Sequence, residues 1–552
     1  MAKYAIGLDY GTLSVRALLL DIETGEEKAT SVFEYPHAVM VESLPTGEKL
    51  PPEWALQHPV DYLEGLVHTV REVMTLSGAE PKEVVGIGVD FTGSTVLAVQ
   101  KDGTPLCCTE EFAHEPHAYV KLWKHHGGEK EARLIDRVIR ERKEDWLDYY
   151  GGRVSSEWML PKILETMHSC PEVYRKADRM IEALDWIIWQ MTGVETRSSC
   201  AAGYKVFYRP GEGYPSDEFF QALEMENLVA EKLEAPVTSV GETAGYLSEA
   251  MAKKLGLLPK TPVGTGILDA LASVLGSGIT DPGVFMIIMG TSSCHLLLSK
   301  REEKIQGICG VVKDGILPGY YGYEAGQSCV GDLFAWFVEN CIPESYEQEA
   351  RAKGINAHQL LEEKLAGYQA GSSGLLALEW FNGVRSPLMD SKLSGMVLGM
   401  NLQTKPEEIY LALVEATAFG TRMNIEIFEQ AGIPVDSIVA GGGIPAKNRM
   451  IVQLYADVCN RDIRLSGTSQ VSALGSAILG AAAADPAVTG FPDVEAAVKK
   501  LGKQKDEVIH PRPEQAKVYE KLYQEYRTLF DYFGRGGNDV MKRLKDLKYR
   551  SE

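Results

Sequence analysis

The chain has 552 residues, 45% of them hydrophobic and 24% charged, with 56 Lys plus Arg against 77 Asp plus Glu and a net charge of -21. That length exceeds what one core organises and fits two or more large domains, and the acidic balance repels a phosphate backbone, which excludes nucleic acid as the main partner. Nine cysteines without CxxC spacing read as reduced thiols, Asp9 stands where a signal peptide needs an apolar stretch, and no run approaches the roughly 18 apolar residues of a membrane span, so a cytoplasmic protein without a membrane partner is expected.

The opening segment Tyr4 to Asp21, YAIGLDYGTLSVRALLLD, reads as strand, tight turn at Gly11-Thr12 and strand, because β-branched and apolar residues flank a polar tip. Val84 to Gly93 reads as a further strand and Glu129 to Asp148 as a charged helix; the Gly-rich stretch from Pro262 is extended before Asp269 and helical after it. Gly283 to Ser299, GVFMIIMGTSSCHLLLS, repeats the first hairpin around Gly290-Thr291-Ser292-Ser293. Two copies half a chain apart suggest an internal duplication in which each domain offers its turn to a shared cleft, although two ordinary β-turns would read the same way. Beyond lie a helix from about Pro406 to Gln430, a strand from Asp436 to Ala440, Gly441-Gly442-Gly443 and a helix opening near Pro445. A small-residue helix from Ser472 looks buried, an amphipathic helix runs from Pro513 to about Phe533, and the basic tail Lys542 to Arg550 reads as a solvated end. Strands alternating with helices make the class α/β.

Glycine turns let backbone N–H groups approach phosphate oxygens with no Cβ in the way. Gly11 and Gly290 offer such turns, Thr12, Ser14, Thr291 and Ser292 add hydroxyl donors, and Asp9 could hold a hydrated Mg2+. No GxxxxGK[ST] is present, so a P-loop is not supported. AGGGIPAKN, Ala440 to Asn448, could set glycine backbone against an adenine or ribose, and it also satisfies the loose dinucleotide pattern G-x-G-x-x-A. Asp269 is at once a candidate base at a strand end and a candidate helix N-cap. The runs HEPH, His114 to His117, and His125-His126 lack further ligands at a supporting spacing and read as surface or hydrogen-bonding histidines.

Taken together, LDYGTLSVRALLLD, IIMGTSSCHLLLS, AGGGIPAKN and the intervening Asp269 resemble the ATP-binding set of the FGGY carbohydrate kinases, a branch of the actin-like phosphotransferases. GMVLGMNLQTKPEEIYLALVE, Gly395 to Glu415, fits that family's second signature, with Gly399-Met400, seven residues, then Glu408-Ile409 and Ala412 to Glu415. GIGVDFTGST, LWKHH, SSEWMLPKIL, AAGYK, YEAGQS and EWFNGVRSP are similar to the members that phosphorylate L-ribulose, and the likeness runs from the first hairpin to beyond Ala484. One departure is that Lys162 is followed by Ile163, Leu164 and Glu165, where the family usually carries a Trp three positions on.

The resemblance implies two actin-like (ribonuclease H-like) domains of mixed β-sheets flanked by helices with a cleft between them. Residues 1–260 would bind mainly sugar, 261–500 mainly ATP, and 501–552 would form a helical extension. It implies phosphorylation of L-ribulose at its 5-hydroxyl by ATP with Mg2+, in L-arabinose catabolism, with related pentuloses or pentitols also accepted and a homodimer left open. Carried over position by position, Asp269 would be the base, Gly93, Trp123, Lys205, Asp269 and Glu324 would hold the sugar, and Asp9 and Asp269 the metal. Gly11, Thr12, Ser14, Gly290, Thr291, Ser292, Gly441, Gly442, Gly443 and Asn448 would hold ATP. By themselves Lys205 and Glu324 read as surface residues. An actin-like ATP switch and a dinucleotide-dependent oxidoreductase remain as rivals; the first would not need Lys205, Glu324 and Asp269 as a polyol-binding set, and the second rests on G-x-G-x-x-A alone.

Overall fold

The structure, a computed structural model, describes residues 2–549, so Arg550 of the basic tail lies outside it. The first sheet comprises β1 (Tyr4–Tyr10), β2 (Ser14–Asp21), β3 (Glu27–Glu34), β4 (Val84–Phe91), β5 (Thr243–Tyr246), β6 (Pro262–Gly264) and β7 (Ile267–Leu268). The second comprises β8 (Val284–Met289), β9 (Ser293–Ser299), β10 (Gly310–Lys313), β11 (Tyr321–Gln327), β12 (Ser437–Gly441), β13 (Ile463–Ser466) and β14 (Gln504–Ile509). Helices around the site are α1 (Ser199–Val206), α2 (Asp269–Gly276), α3 (Gly331–Cys341), α4 (Pro406–Gln430), α5 (Gly443–Lys447), α6 (Arg449–Cys459) and α7 (Val471–Ala482). Helices α8 (Pro513–Gly534) and α9 (Val540–Tyr549) end the chain.

The strand order β3-β2-β1-β4-β6-β5 in the first sheet matches β11-β9-β8-β12-β13-β14 in the second. Directions match too: each opens with an antiparallel hairpin and a third antiparallel strand, then two parallel neighbours and an antiparallel edge. This shared path is the internal duplication suggested by the two hairpins. The turns themselves differ by one residue, because Tyr10 pairs with Val15 across the first and Met289 with Ser293 across the second.

The central strands are apolar on both faces because helices cover both. One of those helices is reached only by a long return of the chain. Helix α7 crosses the first sheet so closely that an ideal Cβ on Gly7, Gly86 or Gly88 would stand 2.0, 2.0 and 1.9 Å from the carbonyl oxygens of Ala473, Gly480 and Ser476. Any side chain at those strand positions would push helix and sheet apart. The expected division at residue 260 therefore does not follow the sheets: β6 and β7 pair with β4, and α7 closes the first domain's core from within the segment assigned to the second.

The helix expected from Pro406 to Gln430 has those bounds. The charged helix expected to reach Asp148 stops at Arg142, where Lys143 turns left-handed at φ 57° before a short 3-10 turn. In α8, Tyr519, Tyr523, Tyr526 and Phe530 are buried against the second domain. The tail is not a solvated end: α9 buries Met541, pairs Lys542 with Asp390 at 2.9 Å and donates from Lys545 to the Ser391 carbonyl at 2.7 Å. Among the described residues no single helix is long and apolar enough to cross a membrane.

Candidate active site

Both hairpin turns are anchored from behind and open in front. Gly11 N–H donates to the Ser14 carbonyl at 2.9 Å, and Gly290 N–H to the Ser292 carbonyl at 2.9 Å. The first turn of α3 docks on the second hairpin, with Val330 and Asp332 N–H donating to the Thr291 carbonyl and Gly331 N–H to the Gly290 carbonyl. With its carbonyls so occupied, this turn presents exposed Gly290 and Thr291 outward, an arrangement suited to anionic oxygens. Asp332 lies within electrostatic reach of Lys124, which follows Trp123 in the chain, and Trp123 Nε1 donates to Thr12 Oγ1 at 3.1 Å. Interactions thus run from the second turn through Asp332 and the Lys124–Trp123 loop to the first.

The glycine triplet divides by role. Gly441 is packed inside β12 against Met286 and Ser466, while Gly442, at φ 99°, leaves only 2.3 Å between an ideal Cβ and the Met289 carbonyl oxygen. Gly442 therefore fixes α5 against the Gly290 turn. Gly443 alone faces open space, with nothing within 4 Å of a Cβ placed there, and is the position of the three that a flat ring could approach. Asn448 is partly committed: its Oδ1 caps α6 by accepting Ile451 N–H at 3.0 Å, and its Nδ2 donates one of its two protons to Glu362.

Three carboxyl groups converge at the ends of parallel strands. Asp9 and Asp90 are register partners on β1 and β4, and β7, paired to Asp90 through Ile267, leads directly into Asp269. Asp269 is the first residue of α2 rather than its cap, and its Oδ1 accepts the Ala270 N–H at 2.8 Å. Its carboxyl is pushed up to about 7, first by burial and then by Asp9 and Glu324, against the Ala270 hydrogen bond and Lys205. Asp90 is fully buried, accepts from Ser476 Oγ of α7 at 2.6 Å, and is held well above the carboxylate range by burial and then by Asp9. Burial also raises Asp9, although Arg16 at 3.4 Å opposes it. The neighbouring Asp9 carboxyl adds to the rise at Asp90, whose Oδ1 is buried without a hydrogen-bond partner among the described residues.

Such an excess of buried acid fits a divalent cation. Among the described residues no three His, Cys, Asp or Glu side chains stand close enough to hold one by themselves. Asp90 was missed in the sequence; its one local signal is a carboxylate inside the otherwise apolar run VVGIGVDF.

Lys205 and Glu324 are not surface residues but meet across the two domains. Tyr204 Oη, fully buried, donates to the Gly322 carbonyl at 2.7 Å, which docks α1 on β11. The next residue along α1, Lys205, places Nζ 3.6 Å from Glu324 Oε2, beyond a good hydrogen bond. That Glu324 oxygen is buried and has no hydrogen-bond partner. Burial works against the Lys205 ammonium, but Glu324 first and then neighbouring acids outweigh it and hold its pKa above the ordinary value. Gly93 belongs to the same pocket, since a Cβ there would meet Lys205 Cε at 3.0 Å and Leu268 at 3.1 Å. The set Gly93, Lys205 and Glu324 therefore draws on both domains, with Glu324 from the second.

A buried cation holds this pocket's loops. Lys162 Nζ donates to the Ser94 carbonyl at 2.6 Å and the Leu122 carbonyl at 2.7 Å, joining the Gly93 loop to the Trp123 loop, and burial lowers its pKa to about 7. Behind it, His125 and Lys121 are buried on Glu165 at 3.0 and 2.6 Å, so His125 is a structural hydrogen-bonding residue.

Residues 4–276 match the N-terminal domain of the FGGY family of carbohydrate kinases, and residues 285–484 match its C-terminal domain. The chain belongs to the FGGY family of carbohydrate kinases. The kinase is therefore an ATP-using enzyme that transfers a phosphoryl group to a carbohydrate alcohol. A ribulokinase of Bacillus licheniformis is 52% identical over 539 residues, 97% of this chain and 98% of that one. A ribulokinase of Halalkalibacterium halodurans is 51% identical over 549 residues, 99% and 98% of the two chains. Among solved structures, a gluconate kinase from Lactobacillus acidophilus superposes with a TM-score of 0.80 at 18% identity, covering 97% of this chain and 99% of that one. A xylulose kinase from Rhodospirillum rubrum gives 0.77 at 22%, covering 96% and 98%. These superpositions show the two-domain actin-like, ribonuclease H-like fold of the kinase.

Proposed function

We propose that the kinase phosphorylates L-ribulose at its 5-hydroxyl with MgATP, serving L-arabinose catabolism, and that related pentuloses or pentitols enter the same site. The observation that carries this is the Lys205–Glu324 pair, held 3.6 Å apart beside Asp269 with one buried carboxylate oxygen unsatisfied. A buried acceptor without a partner is costly, and a polyol hydroxyl donates to Glu324 while accepting from Lys205. The likeness to ribulokinases over nearly the whole chain supports the pentulose.

In this mechanism Trp123, Lys205, Glu324 and the backbone near Gly93 orient the sugar so that one terminal hydroxyl faces Asp269. As the hydroxyl oxygen bonds to the γ-phosphorus and the bond to the bridging oxygen of ADP breaks, Asp269 accepts the hydroxyl proton. The Gly11-Thr12 and Gly290-Thr291 turns face the phosphate oxygens, and Gly443 faces the nucleoside. Asp9 and Asp269, with Asp90 behind them, would hold hydrated Mg2+, which supplies charge neutralisation on the transferring group. Coupled ADP release across a panel of ketopentoses and pentitols tests the proposal: L-ribulose should give the highest kcat/KM, and ATP turnover that no sugar accelerates refutes it.

A further inference from the structure

We infer that Arg385 is an additional sugar-binding residue that recognises the ketose end of the substrate; this rests on the sugar lying between Lys205 and Glu324 as proposed above. The guanidinium lies over β11 beside Glu324. An ideal Cβ on Gly326 would stand 3.6 Å from Arg385 Cδ and Nη1, and residues two apart in a strand project from one face. Glu324 and the Arg385 side chain therefore share a wall of the pocket, and the absent side chain at Gly326 makes room for the arginine.

Arginine carries five N–H donors in a rigid fork and no acceptor. Here the nearest carboxylate oxygen, on Glu157, is 3.9 Å from Nη2, and the side chain is 23% exposed. Among the described residues the Arg385 guanidinium makes no hydrogen bond. A guanidinium sunk beside a ligand pocket with all its donors uncommitted is arranged for oxygen acceptors that arrive with the ligand.

The neighbours of Glu324 suggest which oxygens these are. Lys205 faces it from the first domain at 3.6 Å, and Arg385 lies beside it over Gly326. Its charge acts on both Asp269 and Arg385, so we place the Glu324-bound hydroxyl between the reacting end and Arg385. A five-carbon chain with its reacting hydroxyl at Asp269 and its middle hydroxyls on Lys205 and Glu324 delivers its far end to Arg385. In a 2-ketopentose that end carries the C2 carbonyl, an oxygen that only accepts, matched to a group that only donates. A pentitol has a hydroxyl there, whose proton the guanidinium cannot receive.

The test is R385M and R385K, with kcat/KM and calorimetric affinity measured for L-ribulose and for the two pentitols made by reducing its C2 carbonyl, and with KM for MgATP and thermal midpoint alongside. For R385M, kcat/KM for L-ribulose should fall ~10- to 100-fold, the loss of a hydrogen bond to a charged donor. The fall for the pentitols should be under ~5-fold by the same reasoning, the KM for MgATP should hold, and R385K should recover part of the loss. Equal losses on ketose and pentitols, or wild-type kinetics in R385M while K205M loses sugar affinity, would overturn the assignment. If wild type releases ADP with no sugar dependence, or K205M leaves sugar affinity unchanged, the underlying pentulose placement falls instead.

Discussion

Replacing Asp269 with Asn isolates the proton acceptor. Asn keeps the side-chain oxygen that accepts the Ala270 N–H at 2.8 Å, so the start of α2 is preserved, while the charge and the capacity to take up a proton are removed. The wild-type carboxyl sits at about 7, raised chiefly by burial, close to where a general base works best, and such a base contributes roughly 10²- to 10⁴-fold. For D269N, kcat should therefore fall at least ~10²-fold, about 2.7 kcal/mol of barrier, with ATP binding largely retained through the glycine turns. Stability moves the other way. Because the folded pKa of about 7 lies above the ordinary 3.8, folding favours the protonated acid, and stability is lost as pH rises through that interval. D269N is free of that loss, so its thermal midpoint relative to wild type should rise between ~pH 5 and ~pH 8. Coupled ADP release at saturating sugar and MgATP gives kcat, and scanning calorimetry at the two pH values gives the midpoints. A folded D269N with kcat within ~10-fold of wild type, below the range of a positioned base, would refute the assignment.

K205M removes the donor facing Glu324 and leaves its carboxylate unpaired; sugar KM should rise ~10- to 100-fold with a smaller fall in kcat, read from initial rates against sugar concentration. G442A forces a methyl group to 2.3 Å from the Met289 carbonyl oxygen at a residue held at φ 99°, so the Gly290 turn must shift. ATP titration should show KM for MgATP raised at least ~10-fold, the effect of roughly 1–3 kcal/mol of overpacking, while sugar affinity is unchanged. Glu415 is buried under the Tyr519 hydroxyl at 2.9 Å, and its carboxyl is pushed up to about 8 by burial. Its folded pKa exceeds the unfolded one, so its contribution is lost as pH rises through about 8. The thermal midpoint of E415Q relative to wild type should therefore increase between ~pH 6 and ~pH 9.

The parts legible in the sequence were those whose signal is local. Each hairpin announces itself by apolar strands around a glycine-bearing tip, and helix α4 by its proline start and apolar period. What escaped depends on chain segments meeting from far apart. Asp90 becomes a site residue only when β4 lies in register with β1, and the glycines of α7 signal close packing without saying that the partner is the first sheet. Lys205 and Glu324 carry no local mark at all; the resemblance singled them out, and only the Tyr204 hydroxyl on the Gly322 carbonyl shows why they face each other. Asn448, in a suggestive motif, also has a structural part that the motif did not announce, capping α6 and donating to Glu362.

The division of the sugar pocket between domains bears on how a kinase avoids wasting ATP on water. Lys205, Gly93 and Trp123 come from the first domain, Glu324 and Arg385 from the second, and the lobes are joined at this point by Tyr204 to Gly322 at 2.7 Å and Gly307 to Gly151 at 3.1 Å. Were the lobes to part, the unsatisfied Glu324 carboxylate and the Lys205 ammonium would both be hydrated, and no sugar could bridge them. On the proposed placement a sugar would bind only where both are present, so sugar and lobe docking would stabilise each other by linkage. A single water cannot span a set built for several hydroxyls and so recovers little of that stabilisation. With the acceptor's proposed binding groups on opposite lobes, the assembly of Asp269 with both glycine turns would be tied to the presence of the sugar.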